Sequence, residues 1–450
     1  RAAFLDASRG FFNGTSLCLR VEGREREPHA VVLAGLPRGW QVATSMREHG
    51  RSTFIAADYD ELVDHPFELG SFWRGVFEAH GVAHDFVVAG AWPGFDGERL
   101  LRDAQRICET QIAFWHGARK PKPPFERYVF MLNAIDDGYG GLEHRASTAL
   151  IAKRRDLPQQ GVAVLTEGYT TLLGLISHEY FHSWNVKRLR PAQLATIDYQ
   201  RENHTPLLWF FEGFTSYYDD LLLRRAGLID AQRYLALLAK TINGVAATPG
   251  RAVQSVAQAS FDAWTKYYRS DENTPNATIS YYTKGSLVAL ALDLTLRFEG
   301  KGTLDDVMRR LWQRSGGGPI DEAEIAAALQ HVGGRSYAKE LSSWVHGTHE
   351  LPLPDLLDAA GIEQRAEKPG YAAALGLRLT ESANGVQVKQ VLAGSAALRA
   401  GVSAGDELIA VDGWCIRRLD EAQQWLAPGH AFELLLVRDQ RVLRLQLEPG

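Results

Sequence analysis

Two histidines and a glutamate stand in the run His178-Glu179-Tyr180-Phe181-His182. On a helix, residues four apart share a face, so both imidazoles can bind one zinc ion while Glu179 sits beside the metal's water. The residue types suit that chemistry. Neutral imidazole is a good zinc ligand, and a nearby carboxylate can take a proton from water whose pKa the metal lowers. The bland alternative is an exposed helix with polar pairs at that spacing. Leu172, Leu173, Leu175 and Ile176 argue against it, because they make the helix a buried one. Two histidines and a glutamate entering a core need a partner, and a metal supplies it. A catalytic zinc site uses three protein ligands and keeps one position open. Glu212, among Trp209, Phe210, Phe211 and Phe214, is the expected third ligand, since a bare carboxylate in such company is costly. The expectation is one zinc ion per chain.

These side chains need helices to present them. A mostly apolar run from Thr170 to Lys187 reads as the first, and Trp209 to Arg225 as the second. Asp219, about two turns beyond Glu212 on nearly the same face, is either a partner that orients a metal-bound histidine or a surface carboxylate. Upstream, Gly97 to His116 has helical spacing and Arg127 to Asn133 reads as a strand. The start looks β-rich, with short strands at Ser16–Val21 and Ala30–Leu33. A helical block continues to about residue 345, including Tyr282 to Phe298 and Thr303 to Trp312, and Leu351-Pro352-Leu353-Pro354 reads as a connection. Strands return at Val386–Val388 (after the turn Ala383-Asn384-Gly385), Glu407–Val411, Phe432–Val437 and Val442–Leu447. The fold class is multidomain α+β, with an N-terminal β domain over 1–70, a catalytic domain over 71–235, a helical domain over 236–360 and a C-terminal domain over 366–450. At 450 residues the chain is long enough for that many cores.

The bulk composition is that of a soluble globular protein, 45% hydrophobic and 23% charged. A formal net charge of −5 argues against nucleic acid as a partner. The richest basic stretch, Lys187-Arg188-Leu189-Arg190, reads as a solvated or locally salt-bridged helix end. No apolar run is long enough to span a membrane. Three widely separated cysteines (Cys18, Cys108, Cys415) fit free thiols in a reducing compartment better than a disulfide framework. The chain opens at Arg1 without a methionine or a signal-like core, as a processed form would. The cytoplasm is slightly favoured, and the periplasm stays open if a signal peptide has been removed.

The two motifs, HEYFHSWN and then WFFEGFTSYYDD, resemble the gluzincin peptidases and within them the glycyl aminopeptidase family, which is related to the larger alanyl aminopeptidase family. That resemblance implies a thermolysin-like zinc peptidase domain and an aminopeptidase acting on small N-terminal residues, glycine or alanine. Gly140-Gly141-Leu142-Glu143-His144 is similar to the Gly-x-Met-Glu-Asn motif of the alanyl relatives, although leucine and histidine replace its methionine and asparagine. The carry-over makes Glu143, with Gly140 and Gly141, the holder of the substrate's α-amino group. From the segment alone, a Gly-rich turn before a helix is an equal reading. Tyr282-Thr283-Lys284-Gly285 is similar to the relatives' Tyr-Glu-Lys-Gly segment, with threonine in place of glutamate. Tyr282 then steadies the oxyanion, with Tyr281 the alternative and a core aromatic the bland reading.

Near the end, Leu375-Gly376-Leu377, Gly394-Ser395-Ala396-Ala397 and Ala404-Gly405-Asp406-Glu407 resemble a PDZ domain. In that family a Gly-containing loop takes a peptide's C-terminal carboxylate and the peptide adds as a strand. Leu375-Gly376-Leu377 would be that loop, and Leu419 to Leu426 the helix lining the groove. Docking on the chain's own catalytic part is the competing use. The function expected is zinc-dependent release of N-terminal residues from peptides with a free N-terminus, Glu179 activating the water. The rivals are an endopeptidase in which Glu143 only lines the cleft, and a PDZ scaffold with an inactive peptidase part.

Overall fold

The computed structural model describes residues 3–117, 119, 121–366, 368–383 and 385–449. The chain is a multidomain α+β protein that divides into two compact units. One comprises Arg1–Ile197, Phe214–Leu238 and Lys301–Arg335, the other Asp198–Gly213, Ala239–Gly300 and Ser336–Gly450.

In the first unit the N-terminal segment makes two small sheets. Strands β1 (Ala3–Leu5), β2 (Arg9–Phe12), β4 (Gln41–Ala43) and β7 (Phe67–Gly70) assemble in the order β1-β2-β7-β4. Strands β3 (His29–Val32), β5 (Arg47–Glu48) and β6 (Thr53–Ala56) form the other. The strand expected over Ser16–Val21 is absent. Gly14–Leu17 makes a short helical turn there instead. Gly14 lies against backbone, where a Cβ would stand 2.6 Å from Val63 Cα, a close approach that alternation in the sequence does not report.

The larger sheet contains β8 (Trp73–Ala79), β9 (Val82–Ala89), β10 (Arg127–Ile135), β11 (Gly140–Glu143) and β12 (Ser147–Lys153) in the order β11-β12-β10-β9-β8. Central β10 runs parallel to both neighbours and is buried on both faces, which explains its near-continuous apolar run. β8 and β9 were not legible, because apolar Val76 takes an exposed position in β8 and polar His84 and Asp85 take buried ones in β9. Gly140–Glu143 is strand rather than turn, paired antiparallel with β12 at the sheet edge. Helix α1 (Gly97–His116), capped by the Asp96 carboxylate on the Arg99 N–H at 2.9 Å, crosses from β9 to β10. Helix α2 (Glu167–Phe181), capped by Thr166 on the Tyr169 N–H, packs on the same face. There Tyr180 stacks on Phe130, and its hydroxyl donates to His84 Nε2 at 2.8 Å. The opposite face carries Val87, Val129 and Met131, which share a small core with Ala43 of the N-terminal sheet.

The expected helix over Thr170–Lys187 ends early, at Phe181. Tight turns follow, with the Ser183 N–H on the Tyr180 carbonyl and the Lys187 N–H on that of His182. The basic run after it is no solvated face. Lys187 pairs with buried Asp64 at 2.7 Å, and Arg188 donates to the carbonyls of Pro124, Arg145 and Ser183.

Helix α3 (Leu208–Arg225) is continuous across the boundary in sequence between the units. The second unit adds the short α4 (Thr274–Ala277) and the buried α5 (Thr283–Phe298). Its C-terminal part is a sheet of β13 (Leu377–Ser382), β14 (Gly385–Val391), β15 (Glu407–Val411), β17 (Phe432–Arg438) and β18 (Arg441–Leu447), in that order, with β16 (Trp414–Cys415) on β15. Val386, Val388, Leu408, Phe432 and Leu434 fill its core. Asn384 of the expected turn lies outside the described residues. The expected helix over Leu419–Leu426 is a 3-10 segment, Leu419–Gln424. Among the described residues no helix is long and apolar enough to cross a membrane.

Candidate active site

His178 lies in the last turn of α2 and His182 closes it as the C-cap residue, while Glu212 sits in the second turn of α3. One ligand atom from each of the three lies within 4.8 Å of the others. The imidazoles are oriented from behind. His182 Nδ1 stands 2.7 Å from the Asn185 carbonyl. A carbonyl only accepts, so Nδ1 carries the proton and Nε2 keeps its lone pair. His178 Nδ1 meets Asp219 Oδ2 at 3.1 Å in the same way. Two neutral nitrogen donors and one carboxylate, each imidazole tied by an oxygen acceptor, fit a three-ligand zinc site. Asp219 is thus a partner of His178 rather than a surface carboxylate. Burial raises its pKa, with the hydrogen bond from His178 pulling against the rise. Burial and then the charge of Asp219 push Asp220 up to about 8.

Glu179 is buried on the helix face, and β11 passes directly over it. A Cβ on Gly141 would stand 2.1 Å from Glu179 Oε1, so only glycine fits there. Gly141 and Glu143 pair with Leu150 and Thr148, which are buried, and alternation therefore puts Glu143 on the same strand face as Gly141. Burial pushes the Tyr128 hydroxyl's pKa well up, and the charges of Glu179 and Glu143 add to the rise. His144, which with Leu142 departs from the motif, turns back so that its Nδ1 meets the Leu142 carbonyl at 3.0 Å and holds the strand end.

Tyr282 caps the start of α5. Burial and next the Glu212 charge raise its pKa well above the ordinary phenol range. Tyr281 is raised too, first by burial and then by Tyr268, with Glu212 a smaller cause. No motif marks the ring cluster around them, in which Tyr267 lies 4.9 Å from Tyr281 and 5.5 Å from Tyr282. Gly213 and Gly285 also shape the site. These two glycines are where α3 and α5 touch, a Cβ on Gly213 falling 2.6 Å from Gly285 Cα. The signal was present, a glycine directly after Glu212 and another after Tyr282-Thr283-Lys284, each inside a helical pattern. Asn185, by contrast, carried no signal, because it contributes a main-chain carbonyl.

The PDZ-like loop lies in the second unit. Gly376 has φ 76°, and a Cβ there would stand 2.1 Å from the Ser395 Cβ. Its carbonyl accepts from the Leu392 N–H, and β13 follows as an edge strand of its sheet.

Family profiles for the M61 glycyl aminopeptidase, the peptidase M61 N-terminal domain and the PDZ domain match residues 171–288, 1–71 and 387–438. An aminopeptidase N family protein from Idiomarina loihiensis is 36% identical, with a TM-score of 0.94 over 100% of this chain and 81% of that one. The chain belongs to the glycyl aminopeptidase family. As a member of the glycyl aminopeptidases it is a zinc metallo-aminopeptidase, a hydrolase acting on peptides, with a C-terminal PDZ domain. An M1 zinc metallopeptidase from Deinococcus radiodurans bound to a Tyr-Ser-Ala substrate is 16% identical, with a TM-score of 0.49 over 78% of this chain and 72% of that one. A search of curated proteins finds no match.

Proposed function

We propose that this peptidase removes N-terminal residues from peptides with a free α-amino group, holding one zinc ion on His178, His182 and Glu212. The observation that carries the reading is the contact of Glu179 with Gly141 on the strand that also presents Glu143. One short edge strand thereby brings together a general base and an anion for an amine.

Zinc, when bound, supplies a Lewis acid for the scissile carbonyl and lowers the pKa of the attacking water. Glu179 accepts the water's proton and hands it to the leaving amine. Glu143 accepts hydrogen bonds from the substrate's ammonium group, which sets the cut after the first residue. Tyr282 donates its hydroxyl to the developing oxyanion; its raised pKa keeps that hydroxyl protonated at neutral pH. Gly140 and Gly141 let the substrate backbone approach β11 closely. Glycine and alanine, the residues that the resemblance implies, make no demand on space. In the PDZ domain we assign Leu375-Gly376-Leu377 to a peptide carboxylate, with the peptide strand adding to β13.

The test combines zinc content with cleavage of matched free and acetylated Gly-, Ala- and Leu-peptides. The expected result is about one zinc per chain, cleavage of free peptides only, and loss of about 100-fold or more in kcat for Glu179→Gln with zinc retained. Equal cleavage of acetylated peptides would make the enzyme an endopeptidase and leave Glu143 as cleft lining.

A further inference from the structure

The face of β11 turned away from Glu179 is as informative as the face turned toward it. Gly141 and Glu143 point to the helix face, so Leu142 points to the far face. There a cavity of about 710 Å³ opens. Its floor includes Leu142, Ala149 and Ile151 beside Met131, and Phe4 and Phe11 of the N-terminal sheet face them. One end holds an ion pair on a buried carboxylate, Arg9 Nε to Glu68 Oε1 at 2.5 Å and Nη2 to Oε2 at 2.7 Å. The pair uses both oxygens of that carboxylate, and Asp6, the other charged residue of the lining, accepts the N–H groups of Ser8 and Arg9 through Oδ1. The rest of the lining is mostly apolar, which suits an apolar group. Leu142 itself is 42% exposed and, among the described residues, β11 pairs only with β12, so this edge can take an arriving strand.

A peptide that pairs antiparallel with an edge strand places each side chain on the same face as the residue opposite it. In the aminopeptidase reading, the substrate's amine lies toward Glu143 and its scissile carbonyl toward Gly141. The first residue of the substrate then stands opposite Leu142, and its side chain leaves on Leu142's face. We infer that the cavity under Leu142, between β1–β2 and the five-stranded sheet, receives the side chain of the substrate's N-terminal residue and selects a large aliphatic or aromatic one. This inference rests on the aminopeptidase reading and takes the residue preference beyond glycine and alanine. Those residues fit but leave the cavity unfilled, whereas leucine or phenylalanine removes its apolar walls from water at the moment of reaction.

The test is a comparison of kcat/KM for Gly-, Ala-, Leu- and Phe-peptides, free and acetylated, in the full-length zinc enzyme and in Ala149→Phe, which fills the cavity from its floor. The expected ranking places Leu or Phe at least tenfold above Gly in the parent. In Ala149→Phe the Phe-to-Gly ratio falls at least tenfold. Preference for Gly over Leu and Phe in the parent overturns the inference whether or not the variant folds. So does a folded variant that lowers all four substrates by one factor. Cleavage of acetylated peptides as well as free ones is the distinct outcome that removes the aminopeptidase reading and this assignment together.

Discussion

Gly141 has no side chain, and the Glu179 carboxylate occupies the place one would take. A methyl group at 141 would have to displace either β11 or the carboxylate. We expect Gly141→Ala to lower kcat by about 10- to 100-fold, because misplacing a catalytic group by about an ångström costs that much. Zinc content should stay at the parent value, since the atoms nearest that position belong to Glu179 and not to a metal ligand. Stopped-time assays alongside metal analysis decide it, and an unaltered kcat would mean that Glu179 has room to move. The same scale explains the metal ligands' partners. His182 is oriented by a main-chain carbonyl and His178 by Asp219, so each imidazole offers Nε2. Only the second of these partners is a side chain that residue types can reveal.

At the scale of elements, the site depends on how closely helices and strands approach. α3 and α5 meet at Gly213 and Gly285, next to Glu212 and just after Tyr282. Gly285→Ala brings a Cβ to 2.9 Å from Gly213 Cα and 2.7 Å from the Trp209 carbonyl. Overpacking of that kind costs about 1–3 kcal/mol, and urea unfolding should show it together with weakened zinc retention. α2 is fixed to the sheet in another way, through the hydrogen bond between Tyr180 and His84. Burial is the main reason that His84 is held down to about 4, and His144 is likewise held to about 4. In the unfolded chain both titrate near the ordinary value of about 6.5. The unfolded state therefore takes up protons first as pH falls. Stability conferred by each neutral imidazole is complete above about 6.5 and is lost down to about 4, at roughly 1.4 kcal/mol per pH unit for each. Unfolding free energies measured between pH 7 and 4.5 should show this slope, and His84→Gln should be less steep by one residue's share. An equal slope in the variant would exclude His84 as a contributor.

At the scale of the whole molecule, the PDZ domain is gripped by the helical part of its own unit. The Asn276 amide of α4 donates to the Val391 carbonyl at 2.9 Å and accepts from the Ala393 N–H at 2.7 Å. Leu392, between those two residues, is bonded to the Gly376 carbonyl in the candidate peptide loop. Asn276→Ala should raise the exchange rate of the Ala393 amide hydrogen and cost about 1–2 kcal/mol for the two lost bonds. Exchange that stays at the parent rate would mean the clamp contributes nothing to how this loop is held.

Much of the site was legible because its chemistry depends on residue types at a fixed helical spacing. His178, Glu179 and His182 are read from one turn of helix, and Glu212 from the cost of a carboxylate among aromatic rings. The central strand β10 and helix α1 were legible because strong apolar periodicity follows from burial. What sequence could not determine depends on approach between segments far apart in the chain. No local pattern shows that Gly141 covers Glu179, that Gly213 meets Gly285, or that the chain turns after Phe181 so that Lys187 reaches Asp64. Periodicity reports which face of an element is buried, but not what lies against it. Tertiary packing alone placed Glu143 and Leu142 on opposite faces of a sheet edge, the first toward the base and the second toward a cavity.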